Sequence, residues 1–462
     1  MHQNPEERFT DVNRTSSASW VKLMAGTAAL TLALAACGSS DDDPDTTASD
    51  SPSASESSSA AATDTFTNDT CSADQTSADT LRVGGILPLT GNLAFLGPPE
   101  VAGVGLAVSD INAAGGVAGT NACIDMQDSG DSTDMSVSTN SAGQLVASKS
   151  SVVIGAASSS VSLNVVDTFA QNKIVEISPA NTAVALSGYS PWYFRTAPPD
   201  SVQGAALGTL ISSDGWQKVA FLVFNDTYGT GLRNYVEKTV KSNGGQCVYG
   251  CKGDGDEFPA GQTTFSTEVS AALAAKPDAI VVLAFDESKA IFPELKAQGW
   301  DMSKTYLTDG NTADYSADFP KGTLEGAQGT IPGVDAAQDF KDRMSGWYEV
   351  AEGEPLADFA YGAESYDATI LAALAAAKGG ATDPQTIRDN LAAVSGANGG
   401  TECSSFSECL TALESGDIHY TGVSGIGPFN DNNDPSSAFV AIYKYDAANK
   451  NVYTSAVEGQ AS

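Results

Sequence analysis

Histidine is almost missing from this chain: His2 lies at the extreme N-terminus and His419 is the other. A Ser-His-Asp triad would rest on His419 alone, no G-x-S-x-G elbow accompanies it, and a surface or loop role is expected for it. Basic residues are scarce too, with 23 Lys and Arg against 57 Asp and Glu and a formal charge of -34. Such a surface repels nucleic acid and anionic lipid, which argues against both as partners and favours a soluble monomer. There is no G-x-x-x-x-G-K-[ST] loop, and Gly103 and Gly105 form a G-x-G without a third glycine or a strand directly before it, so no nucleotide site is expected. With so little histidine and no C-x-x-C spacing among the cysteines, neither a metal nor another cofactor is expected. Paired carboxylates are frequent, but a chain this acidic produces them by chance. An enzyme has little to stand on.

Long apolar runs are few as well. Residues 23–36 (LMAGTAALTLALAA) follow Lys22, are too short for a comfortable membrane span and end in small residues, as a signal peptide does. Cys37 follows at once, and Leu34-Ala35-Ala36-Cys37 resembles the bacterial lipobox. That resemblance implies a lipidated Cys37 as the first mature residue, anchored to the outer face of the cell membrane. The stretch before Lys22 is long for a signal n-region, and a start near Val21 would give an ordinary one. Acids and bases balance within residues 1–36, so the negative charge belongs to the mature protein. Residues 37–80 are expected to be the lipidated cysteine and a flexible tether, since the Ser, Thr, Asp and Ala that dominate them bury too little apolar surface to fold. Residues 368–377 (ATILAALAAA) are apolar but short, and a buried helix is expected there.

With Cys37 set aside, six cysteines remain, an even number suited to disulfides in an exported protein. Six allow fifteen pairings. Local pairing favours Cys247–Cys251 and Cys403–Cys409 and leaves Cys71–Cys123, which would pin the end of the tether to the first lobe.

From residue 81 onward, short apolar runs alternate with helix-like stretches, the pattern of a parallel α/β sheet. Strands are expected at Leu81–Leu87, Cys123–Met126, Val152–Ile154 and Ile174–Ile177, with helices at Pro99–Ala113, Thr133–Ala147 and Val161–Gln171 between them. A second series begins after Pro198-Pro199, with strands at Val219–Phe224, Gln246–Tyr249, Ala279–Leu283 and Thr305–Leu307. Two such series imply two doubly wound parallel-sheet lobes, and the Pro-Pro pair marks a hinge.

Ligands of open α/β sheets lie beyond the carboxyl ends of the strands. Those positions hold Gly155-Ala156-Ala157-Ser158-Ser159-Ser160 at a helix start and Ser178-Pro179-Ala180-Asn181-Thr182 in the first lobe. The second lobe offers Asn225-Asp226-Thr227-Tyr228-Gly229, Ala284-Phe285-Asp286 and Thr308-Asp309-Gly310-Asn311. Small hydroxyls and free N–H groups at a helix N-terminus suit a carboxylate, and aromatic faces with carboxylates suit an ammonium. Any one of these loops is ordinary helix capping. Five at the same strand ends suggest a site for a small molecule bearing both groups.

Leu89-Thr90-Gly91, Asp110-Ile111-Asn112-Ala113-Ala114-Gly115-Gly116, Val153-Ile154-Gly155 and Ile177-Ser178-Pro179-Ala180 resemble the branched-chain amino-acid (leucine/isoleucine/valine) binding proteins of ABC transporters. The likeness continues through Phe194-Arg195-Thr196, Asp200-Ser201-Val202-Gln203-Gly204, Asp226-Thr227-Tyr228-Gly229, Lys276-Pro277-Asp278-Ala279 and Gly427-Pro428-Phe429, and spans residues 81–450. It implies the type I periplasmic-binding fold, with lobe 1 from 81–197 and 327–415, lobe 2 from 198–326 and 416–457, and three hinge crossings. It implies ligand contacts from Ser159, Ala180 and Thr182 to an amino acid's carboxylate and amine, with Tyr228 closing from lobe 2. The family's first-lobe aromatic falls near Phe95, its later tyrosine near Phe285 and its glutamate near Asp309 or Asn311. The implied function is capture of a branched-chain-like amino acid by cleft closure and delivery to ABC permease subunits. Binding or sensing of an amide or urea-type molecule on the same fold is the alternative.

Overall fold

The computed structural model describes residues 65–78 and 80–460; the expected signal peptide, Cys37 and most of the tether lie outside them. Lobe 1 opens with β1 (Arg82–Leu87), α1 (Gly97–Ala113), β2 (Cys123–Asp128), α2 (Met135–Ala147), β3 (Val152–Gly155), α3 (Ser159–Gln171), β4 (Val175–Ser178) and β5 (Tyr193–Arg195). Its five strands lie in the order β2-β1-β3-β4-β5, all parallel. The chain then crosses at Pro198-Pro199 into α4 (Asp200–Ser213), β6 (Lys218–Val223), α5 (Thr227–Ser242), β7 (Gln246–Tyr249), α6 (Ser266–Ala274), β8 (Ala279–Leu283), α7 (Ser288–Ala297), β9 (Thr305–Leu307) and β10 (Gln328–Pro332). It returns to lobe 1 for α8 (Gln338–Glu352), α9 (Gly362–Gly379), α10 (Pro384–Val394), β11 (Thr401–Cys403), α11 (Phe406–Leu413) and β12 (Ile418–Tyr420), and ends in lobe 2 with β13 (Ser437–Tyr445) and β14 (Asn451–Gln460). Lobe 2 carries a seven-stranded sheet, β14-β13-β10-β9-β8-β6-β7.

The two lobe boundaries inferred from resemblance need correction. Residues 327–332 were expected in lobe 1, yet β10 pairs with β9 and β13 and is a strand of the lobe 2 sheet. Residues 416–420 were expected in lobe 2, yet β12 pairs with β11 and buries Ile418 and Tyr420 in the lobe 1 core. The second crossing is therefore at Gly333–Ala336 and the third follows Phe429. The sheet in lobe 2 is mixed, because β13 runs antiparallel to β10 and β14 antiparallel to β13.

The end of the expected tether also changes. Thr70 bridges to Ile124, the Trp347 indole donates to Thr67 O at 3.0 Å, and Arg82 donates to Ser72 O and Gln75 O at 3.1 Å. Residues 65–78 thus lie along the β2 edge of lobe 1. Cys71–Cys123 closes this segment onto β2, and Cys247–Cys251 and Cys403–Cys409 are the other two disulfides.

The apolar run at 368–377 is the middle of α9, buried among α1, α10 and the lobe 1 sheet. No helix among the described residues is long and apolar enough to cross a membrane. The G-x-G of Gly103 and Gly105 is a helix-packing device: a Cβ on Gly105 would lie 2.0 Å from the Trp347 ring, so only glycine lets α8 approach α1 this closely. His419, expected on a surface or loop, is half-buried on β12 against Gly396.

Candidate functional site

Lobe 1 contributes a shelf made from the ends of β3 and β4. Ser158 caps α3, and the first-turn N–H groups of a helix have no partners within it. Ser159 Oγ accepts the N–H groups of Thr182 at 3.4 Å and Ala183 at 3.2 Å, which fastens the two loops together. Asn181 holds the second loop from below, donating to Ser162 Oγ at 2.7 Å and accepting the Tyr193 hydroxyl at 2.5 Å. The shelf is fully buried and carries two hydroxyls without a hydrogen bond of ordinary length, Ser158 Oγ and Thr182 Oγ1.

Lobe 2 supplies the opposing clamp. Asp226 caps α5 by accepting the Tyr228 N–H at 2.9 Å, which aims the Tyr228 ring across the end of the sheet. That ring stacks on Phe285, centroids 5.6 Å apart and planes 15° from parallel. The Tyr228 hydroxyl donates to Asp309 Oδ1 at 2.6 Å, accepts the Gly310 N–H at 3.1 Å and lies 2.8 Å from Thr308 Oγ1. Asp309 also accepts Gln203 Nε2 at 2.8 Å and the Tyr361 hydroxyl at 2.7 Å. Tyr361 itself sits at φ 60°, a left-handed conformation that a bulky residue adopts only when its surroundings impose it.

The lobes are closed on one another. The Thr227 N–H donates to Ser160 Oγ at 3.3 Å, and the Asp286 N–H donates to Asn92 O at 3.2 Å. Leu93, Leu96, Ala157 and Ala180 of lobe 1 share one buried apolar cluster with Tyr228 and Phe285 of lobe 2 and with Tyr361. The lobes therefore meet through a shared apolar cluster set beside the polar shelf.

The charge there is one-sided. Asp200, the first residue of α4 after the Pro-Pro crossing, is 0 % exposed and neither carboxylate oxygen makes a hydrogen bond of ordinary length. Burial pushes its pKa up to about 8; the Thr182 hydroxyl and Arg195 oppose this and the Asp309 charge adds to it. Burial also raises Asp309, against the pull of its hydroxyl and amide donors. Gln203 Oε1 is a further buried acceptor without a donor. Arg195 cannot neutralise them by contact: its three nitrogens are engaged by Asp434 at 2.6 Å, Ala183 O at 2.9 Å and Ser187 at 2.7 Å. An unsatisfied buried polar group costs about 1–3 kcal/mol, so this set of acceptors favours a guest that brings N–H donors and positive charge.

Of the residues singled out in the sequence, Ser159, Ala180, Thr182, Tyr228, Phe285 and Asp309 are brought together where the two lobes meet. Phe95 is half-buried beside Leu93 and Leu96, which reach deeper. Asn311 turns away. Its amide donates to Val282 O at 3.0 Å and Ser288 Oγ at 2.9 Å and accepts the Thr308 N–H at 2.8 Å, so it holds the loop inside lobe 2. Asp200, Gln203 and Tyr361 escaped sequence reasoning as site residues. The i, i+3 spacing of Asp200 and Gln203 in the first turn of α4 was a usable signal, since it places both on one face. Tyr361 had none, because its role depends on a crossing that brings residues 309 and 361 together.

The periplasmic binding protein family matches residues 80–446 of the chain. Among solved structures, a leucine-binding protein from Thermotoga maritima superposes with a TM-score of 0.67 at 20% identity, covering 82% of this chain and 98% of its own. A branched-chain amino-acid substrate-binding protein from Streptococcus pneumoniae, in complex with isoleucine, gives 0.65 at 22% identity, with 82% and 99% covered. A solute-binding protein from R. palustris in complex with 4-hydroxybenzoate gives 0.65 at 15% identity, with 83% and 98% covered. No curated protein matches the chain in sequence. The two lobes, their crossings and the matched span agree: this chain belongs to the periplasmic binding protein family, whose members bind solutes and do not catalyse reactions.

Proposed function

We propose that this protein is the solute-binding component of an ABC importer, held outside the membrane through Cys37, and that it captures an α-amino acid or close analogue. The observation that carries this reading is the buried Thr182–Asp200 pair, acceptors with no basic partner, set beside a helix N-terminus. A ligand carboxylate meets the Ser158–Ser159 turn, where hydroxyls and helix N–H groups converge. Its ammonium meets Thr182 Oγ1, the carbonyl side of Ala180 and Asp200, with Asp309 and its tyrosines behind. Leu93, Leu96 and Phe285 take an apolar side chain. A hydroxybenzoate, as bound by the R. palustris protein, brings a carboxylate and an aromatic ring but no cation for Asp200.

Both lobes contribute, so the ligand binds the closed arrangement best and shifts the equilibrium towards it. An ABC permease would then distinguish loaded from empty protein by lobe geometry. One observation favours the amide or urea alternative: with its pKa near 8, Asp200 is neutral at pH 7 in the empty protein, and a neutral ligand rich in N–H donors also satisfies it.

The test is isothermal titration of refolded, ligand-stripped protein with aliphatic amino acids, short amides, urea and 4-hydroxybenzoate. Amino acids should bind, and Thr182→Ala should weaken them at least tenfold while leaving the melting temperature of the empty protein unchanged, since a hydrogen bond to a charged group contributes about 1.5–3 kcal/mol. Binding of amides or urea alone moves the assignment to the second reading. Unchanged amino-acid affinity in Thr182→Ala refutes the site.

A further inference from the structure

Behind Tyr361, a cavity opens where three parts of the chain meet. Its volume is about 240 Å³. Pro332 at the end of β10 and Val334–Ala336 of the crossing form its floor, the 357–364 stretch of lobe 1 one wall, and Tyr443 with Lys450–Val452 of lobe 2 the other. Ser159, Ala180, Thr182, Tyr228 and Phe285 do not line it; Tyr361 is the partition, reaching Asp309 with its hydroxyl on one side and this cavity on the other.

The cavity holds more acids than bases, and burial raises the pKa of Asp358 and Glu364. Asp314, Asp335, Asp358 and Glu364 line it, against Lys341 and Lys450. Lys341 is bound to Asp335 at 2.5 Å, and Lys450 lies 3.4 Å from Asp314. That leaves Asp358 and Glu364 without a cation. Asp358 accepts the nearby Ala360 N–H at 2.8 Å and is engaged by the Phe359 backbone, with Lys341 near but not paired to it. Glu364 is 3 % exposed, and its carboxylate makes no hydrogen bond or ion pair with another residue among those described. It is pressed against the crossing: a Cβ on Gly333, which sits at φ 99°, would lie 2.0 Å from Glu364 Oε1. Aromatic faces complete the lining, and one already receives an ammonium, with Lys341 Nζ 5.8 Å from the centre of the Phe359 ring.

We infer that this cavity is a second binding site, for a small organic cation such as an alkyl diamine or a guanidinium. The carboxylates are too dispersed for a bare metal ion, since no three ligand atoms here lie close enough together among the described residues. An elongated cation can span them, with one charged end on Glu364, the other near Asp358, and its methylenes against Phe359 and Tyr443. Tyr361 links this cavity to Asp309, and the walls come from both lobes and a crossing. Occupancy is therefore tied to the closed arrangement, and linkage makes the effect mutual: each guest strengthens the other. The cavity's carboxylates are its own, and none is shared with the Thr182–Asp200 pair.

The experiment is titration of the full mature protein with putrescine and with methylguanidinium, followed by calorimetry, with magnesium chloride at equal ionic strength as the control. Saturable binding of one organic cation and not of magnesium is expected. Glu364→Gln should weaken it at least tenfold, and Thr182→Ala should leave it unchanged. Asp358→Asn, remote from the core, should weaken it severalfold and serves if Glu364→Gln fails to fold. Absence of saturable binding, equal binding by magnesium, insensitivity to both carboxylate variants, or loss in Thr182→Ala would each overturn the assignment. The last result would place the cation in the main cleft.

Discussion

Asp200 makes the stability of the empty protein depend on pH in a calculable way. Its ordinary value is 3.8, and burial raises it in the folded protein to about 8. A raised acid binds its proton more tightly when folded, so its contribution to stability is complete below pH 3.8 and is lost as pH rises towards 8. Between pH 5 and 8 the folded protein holds nearly one proton more than the unfolded chain, and each unit is worth about 1.36 kcal/mol. Allowing for partial ionisation near pH 8, the loss is about 3–4 kcal/mol. Asp200→Asn stays neutral throughout and should remove that slope. Glu100, Glu176 and Glu364, also raised by burial, act with the same sign in both proteins, so the difference reports Asp200 together with its coupling to Asp309. Urea unfolding of ligand-stripped protein at the two pH values measures it. The reasoning extends to binding: a ligand ammonium ionises Asp200, so about one proton should be released at pH 7, seen as a buffer-dependent titration enthalpy. Equal pH slopes in wild type and Asp200→Asn would refute the argument.

Other residues yield sharper expectations of a single kind. Ser160→Ala removes the acceptor for Thr227 N–H across the cleft and nothing within either lobe; it should favour the open form, lower ligand affinity about two- to tenfold, and leave the unfolding midpoint of the empty protein in place. Asn311→Ala leaves the Thr308 N–H and the Val282 carbonyl buried without partners; it should cost about 3 kcal/mol in urea unfolding, against no change in ligand affinity beyond that from lost folded protein. Replacing Cys71 and Cys123 together by serine removes a crosslink spanning 52 residues; chain entropy puts the loss at up to about 4 kcal/mol, and limited proteolysis should then cut first within residues 65–78.

Periodicity made most of the layered fold legible. Runs such as Ala279–Leu283, fully buried, are unambiguous as central parallel strands because both faces are covered. What escaped was non-local. β5 is three residues long, and its pairing with β4 gives no signal of its own. β10 reads as loop-like Gln-Gly-Thr-Ile-Pro and becomes a strand because β9 and β13 flank it. In the cleft, hydroxyl-rich strand ends pointed to Ser159 and Thr182 because loop chemistry is local. Asn311 looked equally suitable, and only the packing reveals that its amide is consumed inside lobe 2. Asp200 lay within a recognised motif, but its isolation from any cation is a property of the folded surroundings.

The staple between Cys71 and Cys123 fixes how load travels through the molecule. Tension arriving from the N-terminal side enters β2 through a covalent bond, at the outer edge of the lobe 1 sheet. From there it is borne by parallel strands, and the three crossings lie off its path. A force applied to residues 65–78 is therefore carried first by lobe 1.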